Sequence, residues 1–156
     1  MKRRLLLTLP LLFVLAAAPA AHAVPLIPEV RPRVGAGINP DQFVVGVQAF
    51  MGSRLLGVVR LAPSVDVGFG DNVTATLINL DLLSGSLTLP GSDIGFYAGA
   101  GGSAAIFSSN GSSDTEWGVN IVGGADFARR FFGEARFGLD KMPDVRLLVG
   151  VRLIEK

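Results

Sequence analysis

The chain has 156 residues, of which 49% are hydrophobic and 17% are charged, with 14 Lys and Arg residues against 13 Asp and Glu residues. This composition is too apolar for a disordered chain, and the length fits a single domain. Because the chain has no Cys, disulfide frameworks, thiol catalysis and Cys-ligated metal sites are excluded.

The first residues have the organisation of a secretory signal peptide. Three basic residues at positions 2–4 precede an apolar run over residues 5–18, and Ala21-His22-Ala23 places small residues where a signal peptidase cleaves. We predict a signal peptide over residues 1–23. The mature chain then has 11 basic residues and no histidine, because three of the 14 basic residues and His22 are removed. This balance disfavours nucleic-acid binding and excludes His-based triads and His-ligated zinc.

Apolar and polar residues alternate with period two through the rest of the chain, which predicts successive antiparallel strands. Residues 24–32 contain three prolines and are predicted to form an extended, Pro-rich lead-in. Residues 33–156 are predicted to form one β-barrel domain. Its eight strands are 33–38, 43–51, 55–69 with a bend at Pro63, 73–82, 94–107, 115–128, 131–139 and 145–153. Residues 83–93 carry only a weak strand pattern, and residues 108–114 are predicted to be a loop.

Two architectures produce this alternation: a soluble barrel with an apolar interior, and a transmembrane barrel with an apolar exterior. The polar face favours the second, because it is rich in Gly and poor in Lys, as the crowded lumen of an eight-stranded barrel requires. Charged side chains in such a lumen must be paired. We therefore predict a structural charge network in the lumen, formed by Arg60, Asp66, Glu116, Asp126, Glu134, Arg136, Arg146 and Arg152.

Aromatic side chains lie near the ends of the predicted strands. Trp117 and Phe127 share one face and are ten residues apart. At about 3.3 Å per residue and a tilt of about 45°, this separation spans roughly 23 Å along the membrane normal, close to the apolar band of about 25 Å in outer-membrane barrels. We predict an aromatic girdle formed by Phe43, Phe69, Trp117, Phe127, Phe131 and Phe137.

The alternating pattern, clearest over residues 117–153, resembles that of the small eight-stranded outer-membrane β-barrel proteins of Gram-negative bacteria. The resemblance implies an all-β, eight-stranded antiparallel up-and-down barrel in the bacterial outer membrane, with outer-membrane lipid and the barrel assembly machinery as partners. It also implies that both termini are periplasmic. The turns at 52–53, 83–93 and 128–130 would then be periplasmic, and the loops at 39–42, 70–72, 108–114 and 140–144 would be outside.

We expect a non-enzymatic barrel with a structural or surface-contact role and a polar, largely plugged lumen, with no catalytic, cofactor or metal site. Residues 99–104 fit a dinucleotide-binding G-x-G-x-x-A pattern, but no helix is predicted after them. One alternative is a soluble, exported lipocalin-like barrel whose interior, lined by Trp117, Val119 and Ile121, binds an apolar ligand. Another is an oligomerising surface-layer or adhesion component. The sequence leaves the oligomeric state open.

Overall fold

A computed structural model describes residues 29–51, 59–109, 112–128 and 130–153. The described residues form nine β-strands, and they contain no helix long and apolar enough to cross a membrane. The strands are β1 (Glu29–Ile38), β2 (Gln42–Phe50), β3 (Val59–Phe69), β4 (Thr74–Ser84), β5 (Leu87–Thr88), β6 (Gly95–Ser109), β7 (Ser112–Phe127), β8 (Phe131–Leu139) and β9 (Val145–Val151). The predicted signal peptide, residues 24–28 of the lead-in and residues 55–58 of the third predicted strand lie outside the described residues.

The eight long strands close into an up-and-down barrel. Each pairs antiparallel with its neighbours in sequence, β4 pairs with β6, and the first strand, β1, pairs with the last, β9. The two-residue β5 pairs only with the start of β6 and takes no part in the closure. The predicted fold class, an all-β eight-stranded antiparallel barrel, is confirmed.

The strands are inclined to the barrel axis because their registers are staggered. A path that steps from each residue to its partner on the next strand starts at Gly123 on β7 and returns to β7 at Ser113, ten residues away. A sheet closes with such a stagger only if its strands tilt, typically by about 35–45°.

The first strand begins earlier than predicted. β1 starts at Glu29, so residues 29–32 belong to the barrel wall and not to a Pro-rich lead-in. Pro32 fits there because the ladder is broken on one side only. Pairing with β2 is continuous and includes Pro32 opposite Val47, whereas pairing with β9 stops at Arg33 and resumes only at the bridge from Val30 to Leu153. A proline lacks the N–H that an unbroken ladder would need.

The predicted loop over residues 108–114 is wrong, because most of it is strand. β6 continues to Ser109 and β7 begins at Ser112, and these two residues are paired. The Ser-, Asn- and Asp-rich composition indicated a loop, but the sequence between the strands is only Asn110-Gly111, a pair typical of two-residue hairpin connections. Residues 83–93, which carry only a weak strand pattern in the sequence, contain the end of β4 and the short β5.

Side chains alternate between the outer surface and the lumen along every long strand. On β9, Leu147 and Val149 are 55% and 57% exposed, whereas Arg146 is 1% exposed. Large hydrophobic side chains are exposed in the same way all around the barrel, and most of the buried polar and charged side chains point inward. The distribution is the reverse of that in a soluble barrel.

Candidate functional site in the barrel lumen

The centre of the lumen holds three arginines and three carboxylates that neutralise one another. This central network consists of Arg33, Asp66, Asp81, Glu134, Arg136 and Arg146. Arg33 on β1 reaches two other walls of the barrel. Its Nε donates to Asp66 Oδ1 on β3 at 2.8 Å, and its Nη1 donates to Glu134 Oε1 on β8 at 2.9 Å.

The other two arginines complete the central network from β8 and β9. Arg136 donates from Nε to Glu134 Oε1 and from Nη2 to Asp81 Oδ2, both at 2.6 Å. Arg146 Nη1 donates to Asp66 Oδ2 at 3.1 Å. None of the paired side chains is more than 1% exposed. Buried charges of this kind are tolerated only as compensated pairs, so the network holds five strands in one register.

Uncharged polar side chains extend the central network towards β6 and β7. Asn79 donates to Asp66 Oδ2 at 3.1 Å, and Asn120 Oδ1 accepts from Arg146 Nη2 at 3.1 Å. Ser103 donates to Asn79 Oδ1 at 2.6 Å and also contacts Asn120. These bonds satisfy amide and hydroxyl groups that burial would otherwise leave unpaired.

Arg31 lies in an aromatic cage below the central network. This lower end of the barrel is the end at which the described chain starts, at Glu29, and stops, at Leu153. Arg31 donates to Glu29 Oε1 at 2.6 Å and to Asp126 Oδ1 at 3.0 Å. The guanidinium carbon is also 4.2 Å from the ring centre of Phe50, 5.1 Å from that of Phe132 and 5.6 Å from that of Tyr97. Cation–π contact strengthens when the cation is removed from water, as Arg31 is. The cage therefore forms a dense lower layer.

At the opposite end, Met142 from the β8–β9 loop folds into the mouth of the lumen. It belongs to an apolar cap with Ala75, Leu77, Ala105 and Phe107. A Cβ atom at Gly118 or Gly138 would lie 2.7 Å from the Met142 side chain and within 3 Å of a backbone carbonyl oxygen, that of Leu139 or Pro143, so both positions require glycine. Asn39 Nδ2 donates to Asp144 Oδ2 at 2.8 Å and holds the same loop in place. The central network is thus enclosed by the apolar cap above and by the lower layer below.

Six of the eight charged residues predicted for the lumen are engaged there. Four lie in the central network: Asp66, Glu134, Arg136 and Arg146. Asp126 pairs with Arg31, and Arg152 pairs with Glu29 at 2.9 Å and with Asp126 at 3.7 Å in the lower layer. In the described part of the chain, no group of three or more His, Cys, Asp or Glu side chains is placed to hold a metal ion.

The other two predicted members, Glu116 and Arg60, lie outside the central network. Glu116 reaches the upper rim, where it accepts from Lys141 Nζ at 2.7 and 2.9 Å, because β7 extends above the barrel wall at this point. This hydrogen bond raises the pKa of the exposed Lys141 above its usual value. Arg60 lies near the lower end, 5.8 Å from the ring centre of Phe50, and makes no ion pair with another described residue.

Four charged residues of the lumen are not predicted from the sequence: Glu29, Arg31, Arg33 and Asp81. Both arginines lie in or beside the segment predicted as a lead-in, where Pro32 masks the alternation of a strand. The inward position of Asp81 could be predicted from the sequence, because Asp81 alternates with the outward-facing Leu80 and Leu82 on β4. The inward position of Met142 could not, because Met142 enters the lumen from a loop.

The six aromatic residues of the predicted girdle all face outward, and each is at least 39% exposed. Phe43, Phe69 and Trp117 lie near the end of the barrel closed by Met142. Phe127 and Phe131 lie near the other end, where their rings stack with centroids 6.2 Å apart. Phe137 lies between the two groups, because the register places it opposite Ile121. The outward-facing Phe96, which was not predicted, is paired with Ala125 near Phe127.

Solved structures of barrels match the chain over most of its length. The N-terminal β-barrel domain of Pseudomonas aeruginosa OprF matches with a TM-score of 0.54 and 21% identity, covering 81% of this chain and 96% of that chain. The fold is that of an outer-membrane β-barrel. Neisserial surface protein A matches with a TM-score of 0.48 and 16% identity, covering 81% of this chain and 93% of that chain. The attachment invasion locus protein Ail of Yersinia pestis, solved with the heparin analogue sucrose octasulfate, has a TM-score of 0.36 and 14% identity, at 81% and 95% coverage. No protein-family profile and no curated protein matches the sequence.

The geometry disfavours the lipocalin-like alternative. That alternative requires Trp117, Val119 and Ile121 to line an interior pocket, but they are 68%, 48% and 49% exposed on the outer surface. Between them on β7, the interior positions hold Gly118 and Asn120, and Asn120 is bonded to Arg146. The lumen therefore offers polar contacts at the place where an apolar ligand would have to bind.

Proposed function

We propose that the protein is a non-enzymatic barrel of the bacterial outer membrane, with a structural or surface-contact role and a closed lumen. One observation carries the proposal: the apolar side chains face outward while the central network is buried inside. In water this arrangement would expose a continuous hydrophobic surface far larger than the patches of a few hundred Å² found on soluble monomers. In a bilayer the same surface contacts acyl chains, and the closed ladder satisfies the backbone.

The dimensions of the outer surface support this proposal. The outward-facing side chains of β7 run from Trp117 to Phe127, ten residues apart. With a rise of about 3.3 Å per residue and a tilt of about 45°, they span roughly 23 Å along the barrel axis. The apolar band of outer-membrane barrels is about 25 Å tall. In this proposal the two end groups of aromatic residues lie at the two membrane interfaces, and Phe137 contacts the acyl chains.

The proposed orientation places the end closed by Met142 outside the cell and the lower layer in the periplasm. The β1–β2 and β3–β4 turns and the long β6–β7 hairpin are then extracellular. Outer-membrane lipid surrounds the barrel, and the barrel assembly machinery inserts it. Because ion pairs cross the centre, an apolar cap covers one end, and aromatic and paired charged side chains fill the other, we expect the lumen to conduct no ions.

Separation of inner membrane, outer membrane and periplasm tests the location directly, with a gel shift between unheated and heated samples as a test of the folded barrel. Trp117 is the only tryptophan of the chain. In lipid vesicles, brominated acyl chains should quench its fluorescence weakly when the bromines are deep and strongly when they are near the interface. A Trp117→Phe/Val149→Trp variant should reverse this depth profile. Recovery as a periplasmic monomer without detergent, or absence of quenching in both proteins, would contradict the proposal.

Planar bilayer recordings test the closed lumen separately. We expect no steady conductance from the parent protein. A variant in which Met142 and Arg136 are both replaced by alanine should conduct at least intermittently, because it loses part of the apolar cap and two central ion pairs. Steady channels in the parent protein would contradict the closed lumen without changing the proposed location.

A further inference from the structure

The strand β7 is longer than its partner β8. Pairing between them ends at Val119 opposite Leu139, whereas pairing of β7 with β6 continues to Ser112. In the part of the chain that the structure describes, no residue pairs with the other edge of β7 over Ser112–Gly118. This segment is the free edge, and its residues beyond Trp117, Ser112–Glu116, project from the membrane in the proposed orientation.

The free edge exists because the chain turns away from it after β8. Asp140 has a φ of 66°, in the left-handed region, which ends the extended conformation. The following residues cross the mouth instead of continuing along β7, and Met142 packs into the apolar cap. Gly138 N–H donates to the carbonyl oxygen of Asp144 at 3.0 Å, which closes the loop on itself. With Met142 held in the cap, this loop does not pair with the free edge.

The hydrogen bond of one backbone group identifies the side of β7 to which the backbone groups of the free edge point. Thr115 N–H donates to the side chain of its neighbour, Asp114 Oδ1, at 2.9 Å. Backbone groups of alternate residues point to the same side of a strand, so those of Ser113, Thr115 and Trp117 point to the free edge. An exposed edge of this kind is a template for another strand unless it is blocked. Here it carries neither Pro nor Lys.

The charges around the free edge are mostly negative. Asp114 is on the edge itself, Asp140 follows the last paired residue of β8, and Glu116 holds Lys141. A second copy of the chain pairing antiparallel about Thr115 would place Asp114 opposite Glu116, and like charges directly opposite are destabilising. A segment with lysine or arginine at alternate positions would instead meet opposite charges.

We propose that the free edge of β7 binds an extended, lysine- or arginine-bearing segment of an extracellular protein by adding it as a further antiparallel strand. This inference rests on the proposed outer-membrane location and specifies the surface contact. Residues opposite Ser113, Thr115 and Trp117 would exchange backbone hydrogen bonds with β7. Residues opposite Asp114 and Glu116 would carry the basic side chains on the same face as these carboxylates.

A set of synthetic peptides tests this geometry on the whole protein in detergent micelles or lipid nanodiscs. The parent peptide alternates four lysines with three valines. If the lysines face Asp114 and Glu116, the valine N–H groups point to β7 and the lysine N–H groups point away. N-methylation of the valines should therefore weaken binding at least about tenfold, whereas N-methylation of the lysines should change it less than about threefold. A peptide with glutamate in place of lysine should not bind.

Variants of the protein provide the matching controls. Thr115→Pro removes an N–H from the free edge and leaves the β6–β7 ladder intact, so it should weaken peptide binding about tenfold, whereas Thr115→Val should have little effect. Asp114→Asn should weaken binding several-fold, and Asp71→Asn, the same charge change in the β3–β4 turn, should not. Binding is followed by anisotropy of a labelled peptide, by Trp117 fluorescence and by hydrogen-exchange protection of residues 112–118.

The outcomes separate strand addition from charge attraction and from self-association. Equal binding of the two N-methylated peptides, or protection absent from residues 112–118, would show charge attraction alone and overturn the proposal. Self-association that Thr115→Pro abolishes would assign the free edge to a second copy and also overturn it. Binding of none of the peptides would reject the free edge as a site for basic segments. All of these results leave the fractionation and quenching tests of the outer-membrane location unaffected.

Discussion

Replacement of Arg136 by alanine tests whether the charges of the central network are as well shielded from water as their burial indicates. Arg136 is fully buried and provides the only ion pair of Asp81 within the described residues. In the variant, Glu134 keeps Arg33 and the Tyr97 hydroxyl, which donates to it at 3.1 Å. Asp81 keeps no cation in direct contact. Removal of one partner from a buried pair costs about 3–5 kcal/mol of unfolding free energy, because the remaining charge stays buried and uncompensated.

The measurement is reversible unfolding by urea in lipid vesicles, followed by Trp117 fluorescence and by the gel shift of the folded barrel. Arg130→Ala in the exposed turn between β7 and β8 is the matched control, and it should change the unfolding free energy by less than about 0.5 kcal/mol. Addition of Asp81→Asn to the Arg136→Ala variant should recover about 1–3 kcal/mol, since it removes the stranded charge.

A loss below about 1 kcal/mol for Arg136→Ala, similar to that of Arg130→Ala, would refute the reasoning. Such a result would mean that water solvates Asp81 in the absence of the guanidinium and that the lumen is wet. The closed-lumen part of the proposed function would then lose its basis.

Three further substitutions probe the outer surface, the barrel wall and the upper cap. Val149→Arg places a charge near the middle of the outer surface and should lower the unfolding free energy by about 2–4 kcal/mol. Leu153→Arg, near the lower end, should lower it by only about 0–1 kcal/mol in the same urea unfolding assay in vesicles. Equal losses would contradict the proposed depths of the two residues in the membrane. Gly35→Ala should impair folding, because its Cβ would overlap the carbonyl oxygen of Leu147, and Gly102→Ala, with open space around the Cβ, should fold normally as judged by the gel shift. Met142→Ala should cost about 2–5 kcal/mol in the same unfolding assay if the cap is tightly packed, and no change would show that it is loose.

Strand alternation predicted the fold because it depends only on neighbouring residues. Leu147 and Val149 alternate with Arg146, and no rearrangement of the sheet can place these two sets on one face. The composition of the polar face then distinguished the two kinds of barrel. Its Gly-rich character is explained by positions such as Gly46, where a Cβ would lie 2.7 Å from the carbonyl oxygen of Val65 on the adjacent strand.

Pairing partners were not accessible in the same way, because they depend on register and stagger. Glu116 and Glu134 both occupy inward positions, yet the stagger of the barrel places one at the rim and the other at the centre. Arg31 and Arg33 flank Pro32, whose missing N–H indicated irregular structure, and only the one-sided break in the ladder shows that a strand passes through it. Met142 needed the conformation of a loop, which alternation does not encode.

Asp66 on the third strand accepts hydrogen bonds from Arg33 on the first strand and from Arg146 on the last. Arg146 reaches Asp66 only when β1 and β9 are joined, because Arg146 lies on the last strand and Asp66 on the third. A sheet that has not closed leaves the Arg146 guanidinium without Asp66. This destabilises half-formed barrels and makes closure cooperative. The most distant parts of the sequence are thereby committed to each other in one step.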